Sequence, residues 1–288
     1  MTLDRQSIHI QEKIASGSFG DVHKGTDLVT GKKIAIKIET VKSTQLKQEA
    51  MVYKALDGVR INAKLSWPKM HYYGIDSTKK SNILVMDLYG QNLDMILKKQ
   101  RNFFTSNIAF FYKFAKEMIK LVEIFHNHGF VHRDIKPQNF VMESDMSFHP
   151  LLIDYGLTKK YLSTDKKTHY PFQDNKSLKG TIRFVSVNTH LGVDASRRDD
   201  LVSLGYVFLY MLNINLPWQN KIKSNSDKKV VYKEIMVLKM ATTIEELTIG
   251  MTDSVLQKNL LLFLFYSNSL MFHQVPDYKY IYSLFTPN

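Results

Sequence analysis

Along residues 1–88 apolar positions come in short runs broken by glycine and charge, a pattern that predicts strands. Ile14 to Val22 contains Gly17 and Gly20, and Val29-Thr30-Gly31-Lys32 reads as a turn. Ile34-Ala35-Ile36-Lys37-Ile38 is an apolar strand with one charge embedded in it. A helix is expected over Leu46 to Leu56, where Leu46, Ala50 and Tyr53 share a face. Asn82 to Asp87 reads as another buried strand, followed by Gly90. Beyond Gly90 the period changes. From Ser106 to His128 the residues Ile108, Phe111, Ala115, Met118, Val122 and Phe125 recur at helical spacing, with Thr105 or Ser106 as the expected cap and Gly129 as the stop. Leu201 to Leu212 and Val255 to Tyr266 read as further core helices, and the polar stretch Asn220 to Lys229 as a surface loop. The prediction is an α+β chain, with a small β-rich lobe over 1–88 and a larger helical lobe over 89–288.

Composition narrows the class without choosing a function. The chain has 288 residues, 44% of them hydrophobic and 23% charged, enough to bury a sizeable core. No run approaches the ~20 apolar residues of a membrane span, and residues 1–10 carry Asp4, Arg5 and His9 instead of an apolar signal region. Cys is absent, so no disulfide framework or thiolate metal site is available, and a cytoplasmic or nuclear location is expected. The net charge of +12 favours anionic partners. It motivates a nucleic-acid-binding alternative, but no interleaved basic and aromatic platform supports that alternative, and no specific nucleic acid is expected.

Candidate chemistry is concentrated in four places. The strongest string is Val131-His132-Arg133-Asp134-Ile135-Lys136-Pro137-Gln138-Asn139, where Pro137 forces a loop after the long helix. Its Asp134 and Asn139 have the spacing at which protein kinases use an Asp to orient and deprotonate the attacking hydroxyl and an Asn to hold magnesium. In Leu151-Leu152-Ile153-Asp154-Tyr155-Gly156 an apolar strand delivers one carboxylate, and Gly156 is expected to let the backbone turn sharply. Alone, such an Asp is more often a turn-former. Following the first string, Asp154 reads with Asn139 as a hard oxygen ligand for Mg2+. Lys37 must either send its ammonium to solvent or find an anion; kinases place it on ATP phosphates and pair it with a helix Glu, here Glu49. Ala15-Ser16-Gly17-Ser18-Phe19-Gly20-Asp21-Val22 resembles a phosphate-covering glycine loop whose first glycine is replaced by Ala15.

The chain resembles the casein kinase 1 family of Ser/Thr protein kinases over residues 8 to 286. The resemblance rests on Val187-Asn188-Thr189-His190-Leu191-Gly192 and Ser196-Arg197-Arg198-Asp199-Asp200-Leu201, with Ser186-Val187-Asn188 where most kinases have Ala-Pro-Glu. Leu204-Gly205-Tyr206-Val207, Leu216-Pro217-Trp218-Gln219, Lys159-Lys160-Tyr161 and Pro276-Asp277-Tyr278 add to it. It implies the bilobal protein-kinase fold, with ATP in the cleft between lobes. It also implies an ATP pocket of Ile14, Ser16, Gly17, Gly20, Val22, Ala35 and Lys37, a gatekeeper at Met86, and a hinge at Asp87, Leu88 and Tyr89. Lys136 would neutralise the transferred phosphoryl group, and Asp200 would brace the catalytic loop. Arg183 matches a substrate anion site; the second position of that site aligns with Val231, and Lys228 and Lys229 are the expected substitutes.

Departures from the family are few. Tyr155 replaces the usual Phe, as in vaccinia-related kinases, which makes that family an alternative. Gln138 stands where the family commonly has Asp. Glu49 follows Lys37 at a slightly short spacing, so a late helix start is expected. The chain stops near the expected domain end, at Asn288, and tail-based autoinhibition is not expected. The resemblance thus implies a monomer that uses ATP and Mg2+ on acidic or pre-phosphorylated Ser/Thr sites of protein substrates and is constitutively active. A pseudokinase scaffold, motivated by Ala15 and Tyr155, is the further alternative.

Overall fold

The apolar strand that carries Lys37 lies at the centre of an antiparallel sheet. The computed structural model describes residues 7–17, 20–63, 65–76, 80–163, 165, 168–221 and 227–286. The elements in chain order are strands β1 (Ile8–Gly17), β2 (Gly20–Asp27) and β3 (Lys33–Thr40), helix α1 (Gln45–Ala55), and strands β4 (Met70–Asp76) and β5 (Ser81–Asp87). Helices α2 (Leu93–Lys99) and α3 (Ile108–Asn127) follow, then strand β6 (Phe130–Val131), a 3-10 turn at Pro137–Asn139, and strands β7 (Phe140–Met142), β8 (Pro150–Leu152) and β9 (Lys159–Lys160). The remainder is helical: α4 (Val187–His190), α5 (Arg197–Met211), α6 (Lys228–Ala241), α7 (Ile244–Thr248), α8 (Ser254–Ser269) and α9 (Tyr278–Leu284).

These elements form two compact units. The first comprises Met1–Gln91 with Val141–Thr158, and the second Asn92–Phe140 with Lys159–Asn288. The segment that carries Asp154 therefore groups with the β-rich unit.

In the first unit the five strands run in the order β1-β2-β3-β5-β4, every neighbouring pair antiparallel. The alternation of β3 sorts its side chains between two faces. Ile34 and Ile36 join Ile83 and Val85 in a buried cluster on one face. Ala35 and Lys37 take the other, opposite Met86 and Leu84 in register. In the second unit the core is aromatic. Phe111 of α3, Phe208 of α5, Phe263 of α8 and Phe285 meet with ring centroids 5.2–5.8 Å apart. Among the described residues, no helix is long and apolar enough to cross a membrane.

Several helix ends differ from expectation for local reasons. Asn107, not Thr105 or Ser106, caps α3, its side chain accepting from the Phe110 N–H at 3.0 Å. Helix α5 starts at Arg197, ahead of the apolar run, because the Asp199 carboxylate accepts from the Ser196 N–H at 2.8 Å. The polar stretch before α6 is shorter than expected. Asp227 accepts from the Lys229 N–H at 2.9 Å and starts the helix at Lys228. Residues 222–226 and the Lys228 side chain lie outside the described residues.

Candidate active site

In the β-rich unit, the functional side chains share the sheet face opposite the isoleucine cluster. Val22 is the register partner of Lys37, and Ala35 of Met86, so the residues expected around a nucleotide stand in adjacent rows. Ile14 falls at the register shift between Lys13 and Ala15 and is half exposed. Gly17 pairs with Gly20 at the tip of the β1–β2 hairpin; Ser18 and Phe19 lie outside the described residues. Gly20 has φ 101°, and a Cβ there would strike the carbonyl oxygen of Ile38, so glycine is required by both conformation and space. The Ser16 hydroxyl donates to Asp21 at 2.7 Å, bridging the two sides of the hairpin beside Ala15.

Lys37 is the embedded charge the strand pattern singled out, and it has found its anions. Its Nζ lies 2.8 and 2.9 Å from the two Glu49 oxygens and 3.0 Å from Asp154 Oδ1. Burial alone would push this ammonium toward its neutral form; Asp154 and Glu49 outweigh that and hold its pKa above the ordinary lysine value. Burial and the nearby Asp154 raise the Glu49 carboxyl in turn, against the pull of Lys37.

Helix α1 does not start late. It begins at Gln45, and its N-terminus is held by a residue that sequence reasoning missed. Glu39, two positions after Lys37 on β3 and 6% exposed, accepts from the Leu46 N–H at 3.0 Å. It also bonds the Ser43 hydroxyl, and Asn82 donates to the Ser43 carbonyl at 3.1 Å. The short spacing between Lys37 and Glu49 is thus accommodated by a connection drawn in against the sheet.

The sharp turn in the Asp-Tyr-Gly segment falls on Asp154, at φ 70°, and not on Gly156. A non-glycine residue in this region is uncommon, and such strain persists only where the surroundings hold it; here Lys37 does so. Tyr155 points into the unit and is fully buried. Its ring packs edge-on to Tyr53 at 4.7 Å and stacks on Trp67 at 6.5 Å, and its hydroxyl donates to the Leu152 carbonyl at 2.5 Å. Met86, at the gatekeeper position, is 3% exposed and accepts from the Tyr53 hydroxyl at 3.5 Å. Of the hinge residues, Asp87 pairs with His71 at 2.8 Å, while Leu88 and Tyr89 are half-buried.

In the helical unit the catalytic-loop residues converge on Asp134, which is 4% exposed. Lys136 Nζ donates to Asp134 Oδ2 at 2.6 Å. The Asn139 amide donates to the Asp134 backbone carbonyl at 2.8 Å and to Oδ2 at 3.4 Å. Thr181, which sequence reasoning passed over, donates its N–H and its hydroxyl to Asp134 Oδ1, both at 2.8 Å. From beneath, Asp200 accepts the N–H groups of His132 at 2.7 Å and Arg133 at 2.9 Å, and pairs with His126 at 2.9 Å. Burial alone would raise the Asp200 carboxyl, but His126 and these N–H donors hold it below its ordinary value. Arg133 takes the uncommon φ of 67° that the double anchorage imposes.

Next to the loop is a cleft of about 340 Å³, lined in part by Arg133, Lys159, Lys176, Lys179 and Asp194. Asp194 pairs with Arg133 at 3.3 Å and with Lys159, and partly offsets their charge. The Arg133 charge pushes the Lys179 ammonium down. Arg183 does not line this cleft. Its half-buried guanidinium lies 5.9 Å from the Phe184 ring centroid and 5.8 Å from that of Tyr210. Lys229 is exposed in the first turn of α6, and Val231 is buried as an apolar anchor of that helix.

Two sets of side chains are therefore assembled, Lys37 with Glu49 and Asp154 in one unit and Asp134 with Lys136 and Asn139 in the other. A family model described as the protein kinase domain matches residues 8–265, across both units. With its N-terminal five-stranded sheet and larger helical C-terminal part, the chain has the protein-kinase fold and belongs to the protein kinase family.

Proposed function

We propose that this chain is a Ser/Thr protein kinase of casein kinase 1 type, transferring the γ-phosphoryl group of ATP to acidic or phospho-primed proteins in the cytosol or nucleus. The observation that carries the reading is Lys37, half-buried yet held charged between Glu49 and Asp154. A lysine held this way presents a fixed positive charge to phosphate oxygens, and phosphoryl transfer needs little from a protein beyond positioning and charge neutralisation.

Asp154 and Asn139 offer a carboxylate and a carboxamide oxygen, the hard donor chemistry that Mg2+ takes. Bound Mg2+ would offset charge on the phosphates. Asp134 receives the proton of the target hydroxyl as that oxygen bonds to phosphorus and ADP leaves. Lys136, already on Asp134, is placed to share the charge of the transferred group. Thr181 and Asn139 restrain the Asp134 carboxylate, so little reorganisation is needed as the proton arrives.

The acidic or primed preference is supported by the cationic cleft beside Arg133 and by Arg183, whose planar guanidinium suits phosphate. The resemblance carried by Ser186-Val187-Asn188 and Asn188-Thr189-His190-Leu191-Gly192 supports the subfamily, and Tyr155 keeps a vaccinia-related kinase as the second reading. The test is Mg2+- and ATP-dependent transfer to two peptides, one with a phosphoserine three residues before the target Ser, beside an Asp134→Asn control. Loss of the general base is expected to lower the rate by about 10²–10⁴. Transfer without primed preference would remove the anion-site reading but leave the kinase. An inactive wild-type chain would leave a pseudokinase.

A further inference from the structure

The kinase reading leaves a buried lysine of α6 without a role. Lys239, in the last turn of α6, is 4% exposed, and no carboxylate pairs with it among the described residues. Its Nζ donates to the carbonyl oxygens of Ile182 at 2.8 Å and Val185 at 2.6 Å. The same nitrogen lies 5.2 Å from the ring centroid of Tyr206 and 5.1 Å from that of Trp218. Burial pulls the amine toward its neutral form, while two carbonyls and two ring faces favour the ammonium. Burying a lysine without a carboxylate is costly, and an apolar side chain would fill the space between the rings without that cost. What such a side chain could not supply is two donors to backbone oxygens.

The location of those oxygens gives the lysine a purpose. Residues 182–185 form a turn outside any helix or strand, and buried carbonyls there need donors from elsewhere. Lys239 supplies two, and Trp218 Nε1 supplies a third, to the Arg183 carbonyl at 2.8 Å. The preceding residue, Thr181, is bonded twice to Asp134. The following residue, Ser186, caps α4 by accepting from the Thr189 N–H at 3.1 Å and donates to Asp199 at 2.6 Å. The segment 181–185 is thus clamped between the expected base and the floor of the helical unit. Any chain that offers its hydroxyl to Asp134 must pass beside it.

We propose that Lys239 is a positioning residue for the protein substrate: by holding the Ile182 and Val185 carbonyls it fixes the 181–185 segment as the surface on which the acceptor chain lies. The role rests on the kinase reading above. It acts on the acceptor side alone and is separate from the nucleotide, whose expected contacts are in the β-rich unit.

Steady-state kinetics on an acidic peptide separates this from a merely structural role. Lys239→Met keeps the length and the ring contacts and removes the donors. Its peptide KM should rise about tenfold, with the KM for ATP unchanged within about twofold. Trp218→Phe keeps a ring over Lys239 and removes only the donor to Arg183, so a smaller rise of about threefold in peptide KM is expected, again without a change for ATP. If Lys239→Met does not fold, Trp218→Phe decides by the same split. Equal changes in both KM values, or none, would overturn the assignment while leaving the kinase intact. A wild-type chain that transfers no phosphate would remove the kinase reading and this role with it.

Discussion

Replacing Glu39 by Ala tests whether the geometry around Lys37 depends on how α1 begins. Glu39 supplies an acceptor for the Leu46 N–H at 3.0 Å and another for the Ser43 hydroxyl, in a place sheltered from water. The local residue at the cap position, Thr44, makes no side-chain cap of its own. Losing a helix cap costs about 1–2 kcal/mol, and leaving a buried N–H unpaired costs about 1–3 kcal/mol. These overlap, and a total of about 2–4 kcal/mol is expected. Glu39→Gln retains one carbonyl acceptor and should lose about half as much. Urea unfolding with an unchanged slope measures this, and the KM for ATP measures the consequence at Lys37. Since α1 carries Glu49, the Ala variant should bind ATP several-fold more weakly while the peptide KM stays put. A stability change under about 0.5 kcal/mol, the usual range of neutral surface substitutions, would show that α1 does not need this acceptor, and the explanation of the short Lys37–Glu49 spacing would fail.

Three further outcomes follow from contacts described above. Tyr155→Phe removes the hydroxyl bonded to the Leu152 carbonyl but keeps the ring between Tyr53 and Trp67, so stability should fall by about 1 kcal/mol in urea and transfer should persist; loss of transfer would contradict it. Gly180→Ala places a Cβ against the Arg133 carbonyl oxygen at a residue with φ 97°, so a cost of at least about 2 kcal/mol and a displaced Thr181 are expected; a variant as stable and active as wild type would refute this. Burial pushes His126 and His190 below the usual 6.5, His190 to about 3 with Lys239 as a second cause. With folded pKa values below the unfolded one, the unfolded chain takes up protons first, so these terms favour the fold fully above pH 6.5 and are lost progressively below it. The ceiling is about 1.4 kcal/mol per pH unit per histidine, reduced at His190 by its partial exposure; urea midpoints that coincide at pH 7 and pH 5 would refute this.

Much of the chemistry was legible because it breaks local rules. A lysine inside Ile34-Ala35-Ile36-Lys37-Ile38 announces a partner, and Pro137 after a long amphipathic run announces a loop. The partners of Lys37 lie 12 and 117 positions away: the motif order pointed to Glu49, whereas Asp154 was expected as a Mg2+ ligand and its pairing with Lys37 was not foreseen. What escaped was polar chemistry with no local irregularity. Glu39 is one acid near the end of β3, Thr181 one threonine after a glycine, and Lys239 one of several lysines on α6. Their roles depend on contacts made by folding: Thr181 meets Asp134 across 47 positions and Lys239 meets Val185 across 54. The cap of α3 at Asn107 and the start of α5 at Arg197 were misjudged for a smaller reason, because several adjacent polar residues can cap and the backbone angle selects among them. At Asp154 the expectation that glycine would take the unusual angle failed because the ion pair with Lys37 holds the carboxylate there instead.

An amine enclosed by two ring faces and two carbonyl oxygens is hidden from reagents in solution. Acylating compounds will label the exposed lysines quickly, but Lys239 only when the chain around it parts. The rate at which Lys239 becomes labelled, read by mass spectrometry on the intact protein, is therefore a clock for local opening of the 181–185 segment, on a scale distinct from global unfolding. The chain contains no cysteine to compete for the reagent. A peptide lying on that segment should slow the clock, so occupancy of the acceptor surface could be followed without measuring phosphate transfer.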